Sequence, residues 1–92
     1  VVQKKYCILL KEGMHLRPAG EFCTEAAKYS CKITVKTARK EVSARSLLGV
    51  IGAMIQCGEE ITLTFEGEDA EDVARSMTKY IVDRGIGKEV ID

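Results

Sequence analysis

Polar and apolar residues alternate over positions 2–10: Val2, Tyr6, Ile8 and Leu10 fall on one side and Gln3 and Lys5 on the other. That is the period of a half-buried strand, with Lys4 as an exception suited to an edge. Glu12-Gly13 turns the chain. From 16 to 29 the step lengthens to three and four, so Ala19, Phe22, Cys23, Ala26 and Tyr29 form one helical stripe while Glu21, Glu25 and Lys28 face outward. Pro18 fits the first turn of that helix, where a missing N–H costs little. Alternation returns in CKITVKT (31–37) and EVSA (41–44), on either side of the charged corner ARK, and predicts a hairpin. Ser46 then precedes LLGVIGAMIQCG, read as a short helix ended by Gly58. EITLTFEG is a strand with Ile61, Leu63 and Phe65 on one face, and the acidic turn EGEDAED opens a last helix in which Val73, Ala74, Met77, Tyr80, Ile81 and Arg84 recur at helical spacing. The end GIGKEVID (85–92) reads as a C-terminal tail, with Ile86, Val90 and Ile91 as the positions that could dock.

The order β-α-β-β-α-β-α predicts an α+β sandwich, a mainly antiparallel sheet of four strands with helices on the other layer. Ninety-two residues fit one domain spanning 1–92. Five aromatics leave the interior to aliphatic side chains and give no platform for stacking on bases. Charge sharpens the picture only slightly. Lys and Arg total 14, as do Asp and Glu, but residues 1–45 hold ten of the basic side chains and residues 46–92 ten of the acidic ones. Such asymmetry could steer a charged partner, and solvated faces account for it equally well. No concentrated basic stripe points to nucleic acid.

Cys7, Cys23, Cys31 and Cys57 contain no C-x-x-C pair, and one histidine cannot complete a metal cage. No metal and no cofactor are expected. No apolar run reaches the length of a signal peptide or of a membrane span, which predicts a cytoplasmic protein whose cysteines are reduced core residues. The acidic stretch 66–72 lacks the ligand alternation of a calcium loop and reads as solvated carboxylates at a helix start.

GMHLRPAG (13–20) carries the candidate chemistry, because His15, the only histidine, stands where the first helix begins. A capping or plain surface residue is the ordinary explanation of a single histidine. Gly13 before it, Arg17 after it and Pro18 fixing the turn argue for more. The unpaired N–H groups of a first turn and the positive end of the dipole favour a neutral, nucleophilic ring there. The same groups make a ready site for an anion attached to that ring. Arg17 can bring a guanidinium fork to phosphate oxygens. A helix terminus contributes about 0.3–1 kcal/mol and a charged hydrogen bond about 1.5–3 kcal/mol. The hold is shallow, as a carrier that must release its phosphoryl group requires.

Ser46 has an ordinary role as the cap of the helix that follows, worth about 0.5–2 kcal/mol. Yet LLGVIGAMI (47–55) contains no charge, and a short helix apolar around most of its circumference must be buried or offer a docking face. Val50, Met54 and Ile55 are the core candidates. Leu47, Leu48 and Ile51 are the docking candidates.

GMHLRPAG resembles the active-site signature of the HPr family, the histidine-containing phosphocarriers of the bacterial phosphoenolpyruvate:sugar phosphotransferase system. The stretch from Ala44 to Val73 is similar to the family's second signature, around a regulatory serine. The resemblance implies an open-faced sandwich, four antiparallel strands under three helices. It implies that His15 accepts phosphate on Nδ1 from phosphorylated enzyme I and passes it to the EIIA domains of sugar permeases, with Arg17 assisting, so that the protein is a carrier and not an independent enzyme. By the same resemblance Ser46 is the target of HPr kinase/phosphorylase, and its phosphorylated form binds a catabolite-control transcription factor. A purely regulatory HPr-like protein is the alternative, and His15 counts against it. Two departures from the family stand out. Leu16 takes the place of a small or hydroxyl residue, and Thr24 and Ala27 stand where basic side chains are common. Lys28 and Arg45 are the candidates to compensate.

Overall fold

The computed structural model describes residues 1–91. The chain runs β1 (Val2–Ile8), α1 (Leu16–Ala26), β2 (Lys32–Lys36), β3 (Glu41–Ser43), α2 (Leu47–Gly52), β4 (Glu60–Glu66), α3 (Ala70–Asp83) and β5 (Gly87–Val90). The sheet order is β3-β2-β4-β1-β5, and every neighbouring pair is antiparallel. The α+β class and the three helices agree with the sequence reading. A fifth strand is the difference: the expected tail pairs with β1, Lys5 opposite Val90 and Ile8 opposite Gly87. Four residues separate too few alternating positions to signal a strand, and Gly85 (φ +70°) supplies the turn that brings them back.

Alternation sets the register. Tyr6 lies opposite Ile61, Val35 opposite Leu63 and Ile33 opposite Phe65, all buried. A slip by one residue would turn this whole set to solvent, so the pattern specifies the pairing. Against it pack Ala19, Phe22, Cys23 and Ala26 of α1, Val50 of α2, and Val73, Ala74, Met77 and Ile81 of α3. Lys4 sits opposite Leu63 on the helix-facing side, its ammonium 3.5 Å from Glu89 of the edge strand.

Both short-range boundaries that the sequence overextended are set by arginines. α1 stops at Ala26 because the chain turns through N–H bonds from Lys28 to Glu25 and Tyr29 to Ala26. Arg45 then donates to the carbonyls of Tyr29 and Cys31 and holds the turned backbone. α2 ends at Gly52 instead of continuing to Gly58. Arg39 donates to the carbonyls of Ala53 (3.1 Å from Nε) and Met54 (2.9 Å from Nη2), groups a longer helix would need for itself. Its other N–H groups grip Glu59 through two bonds of 2.8 and 2.7 Å. Met54 is therefore left-handed (φ 52°) and 65% exposed, a correction to its expected place in the core; Val50 and Ile55 are buried as read. The cysteines divide too: Cys23 and Cys31 are buried, Cys7 is half-buried and Cys57 exposed, so only two are core residues.

Candidate functional site

Gly13 makes the entrance to α1 possible. It adopts φ +72°, and a Cβ there would overlap the carbonyl oxygen of Ile55. Only glycine lets the two backbones approach. The approach lets the Met14 N–H donate to that carbonyl at 2.9 Å, with Met14 buried beneath, so the loop after α2 carries the turn before α1. The sequence reading treated Gly13 as a plain turn residue; a glycine followed by a buried residue was its only visible signal.

His15 is the N-cap residue of α1 (φ −81°, ψ −174°), is exposed, and makes no side-chain capping bond. The first helical bond runs from the Ala19 N–H to the His15 carbonyl at 2.9 Å. Leu16 and Arg17 therefore carry N–H groups ahead of the first intrahelical bond, and Pro18 has none to offer. An exposed imidazole stands at a helix mouth with two main-chain donors and no acceptor of its own engaged there. Such a site can take an anion carried on the ring. Arg17 extends along the helix with its Nε 4.0 Å from Glu21 Oε2 and is 87% exposed.

Beside Arg17 a groove of about 570 Å³ runs between the outer face of α1 and the end of α3, lined by Glu21, Thr24, Lys28, Tyr80 and Arg84 among others. Arg84 approaches Glu21 from the far side, Nη1 to Oε1 3.6 Å, and lies over the Tyr80 ring at 5.2 Å. Burial pushes the Tyr80 phenol up. Arg84 entered the sequence reading only as a position on the α3 stripe. The compensating cations expected there are otherwise engaged: Lys28 pairs with Glu25 at 2.8 Å, and Arg45 is committed to backbone carbonyls. Thr24 turns its hydroxyl back to the Gly20 carbonyl at 2.9 Å.

Ser46 caps α2 as expected, accepting from the Gly49 N–H at 3.0 Å. Gly49 is needed at that point, since a Cβ would stand 2.9 Å from the Ser46 hydroxyl. Of the docking candidates, Leu48 is 85% and Leu47 37% exposed, whereas Ile51 is half-buried against the core. Leu16 (66%) and Met54 add exposed apolar surface that the sequence reading did not assign to docking. α1 and α2 touch, and the Met14 N–H bond to the Ile55 carbonyl sets the His15 end of α1 beside the segment that follows α2. The Arg39–Glu59 clip was also missed, because nothing in a corner reading ARK names its partner twenty residues on. It holds the Glu59 carboxyl down to about 2. No helix among the described residues is long and apolar enough to cross a membrane.

Residues 2–83 match the family model described as the PTS HPr component phosphorylation site. The chain is 31% identical to the HPr-like protein Crh of Bacillus subtilis over 81 residues, 88% of this chain and 95% of that one. It is 32% identical to the phosphocarrier protein HPr of Mycoplasma capricolum over 76 residues, 83% of this chain and 85% of that one. Among solved structures it superimposes on the histidine-containing phosphocarrier protein of Mycoplasma with a TM-score of 0.88 at 29% identity, covering 94% and 98% of the two chains. The phosphocarrier HPr of Bacillus anthracis gives a TM-score of 0.78 at 37% identity, covering 86% and 94%.

Proposed function

The chain belongs to the HPr family of phosphotransferase-system components, and from that premise we propose that it is a phosphoryl carrier with His15 as the group that is loaded and unloaded. Phosphorylated enzyme I supplies the phosphoryl group: the donor's bond to phosphorus breaks as a bond from Nδ1 of His15 forms, the ring keeping its proton on Nε2. The phosphoryl oxygens then face the Leu16 and Arg17 N–H groups and the Arg17 guanidinium. An EIIA domain takes the group in the reverse sense. The protein works as one domain in the cytoplasm, as a reactant passed between partners and not as a catalyst. The exposed ring at the mouth of α1, engaged in no bond of its own, carries this reading. A buried or capping histidine would have to break contacts to react.

Ser46 is the regulatory site in this proposal. Phosphorylation by an HPr kinase/phosphorylase would add about −1.5 to −2 charges beside Leu47 and Leu48, on the surface that enzyme I and EIIA must approach, and would turn the protein toward a catabolite-control transcription factor. Similarity to Crh supports a second reading, in which the protein is mainly a regulator acting through phosphoserine.

One experiment separates the two. Enzyme I, Mg²⁺ and labelled phosphoenolpyruvate should load acid-labile, base-stable label that His15→Ala removes, and this variant keeps its fold because the ring bonds nothing. Label obtained only from kinase and ATP, and lost in Ser46→Ala, would establish the regulator instead.

A further inference from the structure

We infer that Glu21 and Arg84 form a parking site for Arg17, and that Arg84 is a positioning residue for the phosphorylated state of His15. The inference rests on the reading of His15 as the phosphoryl acceptor. Arg17 follows His15 by two residues, yet its guanidinium is drawn along α1 toward the next turn, Nε 4.0 Å from Glu21 Oε2. The other oxygen of Glu21 is 3.6 Å from Arg84 Nη1. One carboxylate is shared by two guanidinium groups. Lys28, the other cation of this face, does not compete for it, being held by Glu25 at 2.8 Å.

The two arginines differ in freedom. Arg84 lies on the Tyr80 ring, a cation–π contact that fixes its head group. Arg17 is 87% exposed and, among the described residues, has no ion pair or side-chain hydrogen bond besides that with Glu21. When a phosphoryl group arrives on His15, the mobile partner can leave and the fixed one stays. Glu21 keeps a compensating charge, so the departure of Arg17 costs little. Without Arg84, Glu21 would have only Arg17 and would hold it back. The groove, which has Thr24 where a basic side chain is common, thus takes a cation from the end of α3 besides Arg17 and Lys28.

The test uses His15 phosphorylated chemically with phosphoramidate, which transfers its phosphoryl group to an imidazole with loss of ammonia, so that no enzyme I is needed and failure of the carrier reading remains a separate result. A guanidinium in contact favours the phosphoryl dianion and lowers the pH midpoint of its ³¹P resonance. Surface ion pairs shift equilibria by about two- to fivefold, that is about 0.3–0.7 pH unit. Arg84→Gln should raise the midpoint by that amount and Glu21→Gln should lower it. In an Arg17→Ala background both shifts should vanish, because both act through Arg17. Shifts that persist in that background, or no shift when Arg17 is present, would overturn the inference.

Discussion

Replacing His15 by Asp should stabilise the protein while abolishing phosphoryl transfer. At its N-cap position His15 contributes no side-chain hydrogen bond. An aspartate is among the best N-caps, accepting from the N–H groups two or three positions on. Here the third position is Pro18, so only the Arg17 N–H is available and the gain belongs in the lower half of the usual range, about 0.5–1 kcal/mol. Interaction of the new carboxylate with the helix dipole adds about 0.3–1 kcal/mol. For a domain of this size each kcal/mol moves Tm by about 4–8 °C, so a rise of roughly 3–16 °C is expected at pH 7 and low salt. The gain must disappear below about pH 4, where an aspartate is protonated. Thermal unfolding by circular dichroism measures it, and labelling from phosphoenolpyruvate checks the loss of function. An unchanged or lower Tm would mean that the Leu16 and Arg17 N–H groups are not open to an acceptor, and the anion site at this helix mouth would lose its physical basis.

Gly13→Ala should lower Tm by about 6–28 °C, since a left-handed non-glycine residue costs about 1–2 kcal/mol and the overlap with Ile55 breaks the Met14 bond, about 0.5–1.5 kcal/mol more; a loss under about 3 °C would refute the close approach. Ser46→Ala removes the single bond from Gly49 N–H and should cost about 1 kcal/mol, read as a Tm about 4–8 °C lower, with phosphate loading of His15 retained. Glu59 is held at about 2 by Arg39, first through their hydrogen bonds. A carboxyl lowered on folding stabilises above its unfolded value and loses that contribution as pH falls. Wild-type stability should therefore decline between about pH 4.5 and 2 more steeply than that of Arg39→Gln, and parallel acid-unfolding curves would refute the clip.

The elements that the sequence makes legible are those specified by side-chain period. Ile61, Leu63 and Phe65, or Ala19, Phe22 and Ala26, reveal their strand and helix without reference to anything distant. The places of His15 and Arg17 at the start of α1 and of Ser46 at the start of α2 are legible for a related reason: a cap or a first turn is marked by its immediate neighbours. The misplaced features depend on partners far along the chain. Met54 lies outside the core because Arg39 takes the carbonyls of Ala53 and Met54 that would have continued α2, while Glu59 accepts from Arg39 and from the Gln56 N–H. β5 forms because β1 offers it an edge. Arg84 reaches the groove because α3 ends beside Glu21, and a helical stripe cannot say which neighbour it will meet.

These long-range contacts sort into a rigid stage and a loose cast. One main-chain bond and two guanidinium groups hold the stage: Met14 to Ile55, Arg39 to the carbonyls of Ala53 and Met54, Arg45 to those of Tyr29 and Cys31. The groups that the proposed function offers to a partner, His15, Arg17, Leu16 and Leu48, are exposed and bonded weakly or not at all among the described residues. A carrier has to bind phosphate for the interval between two encounters and yield it at the second. In the proposed carrier, fixed backbone donors would keep the site in register for both partners, while unanchored side chains would lose little by changing hands. Anchoring Arg17 firmly on His15's side would deepen the hold and slow delivery. Anchoring it firmly on Glu21 would leave the loaded ring exposed. A carboxylate shared with Arg84 lies between these extremes.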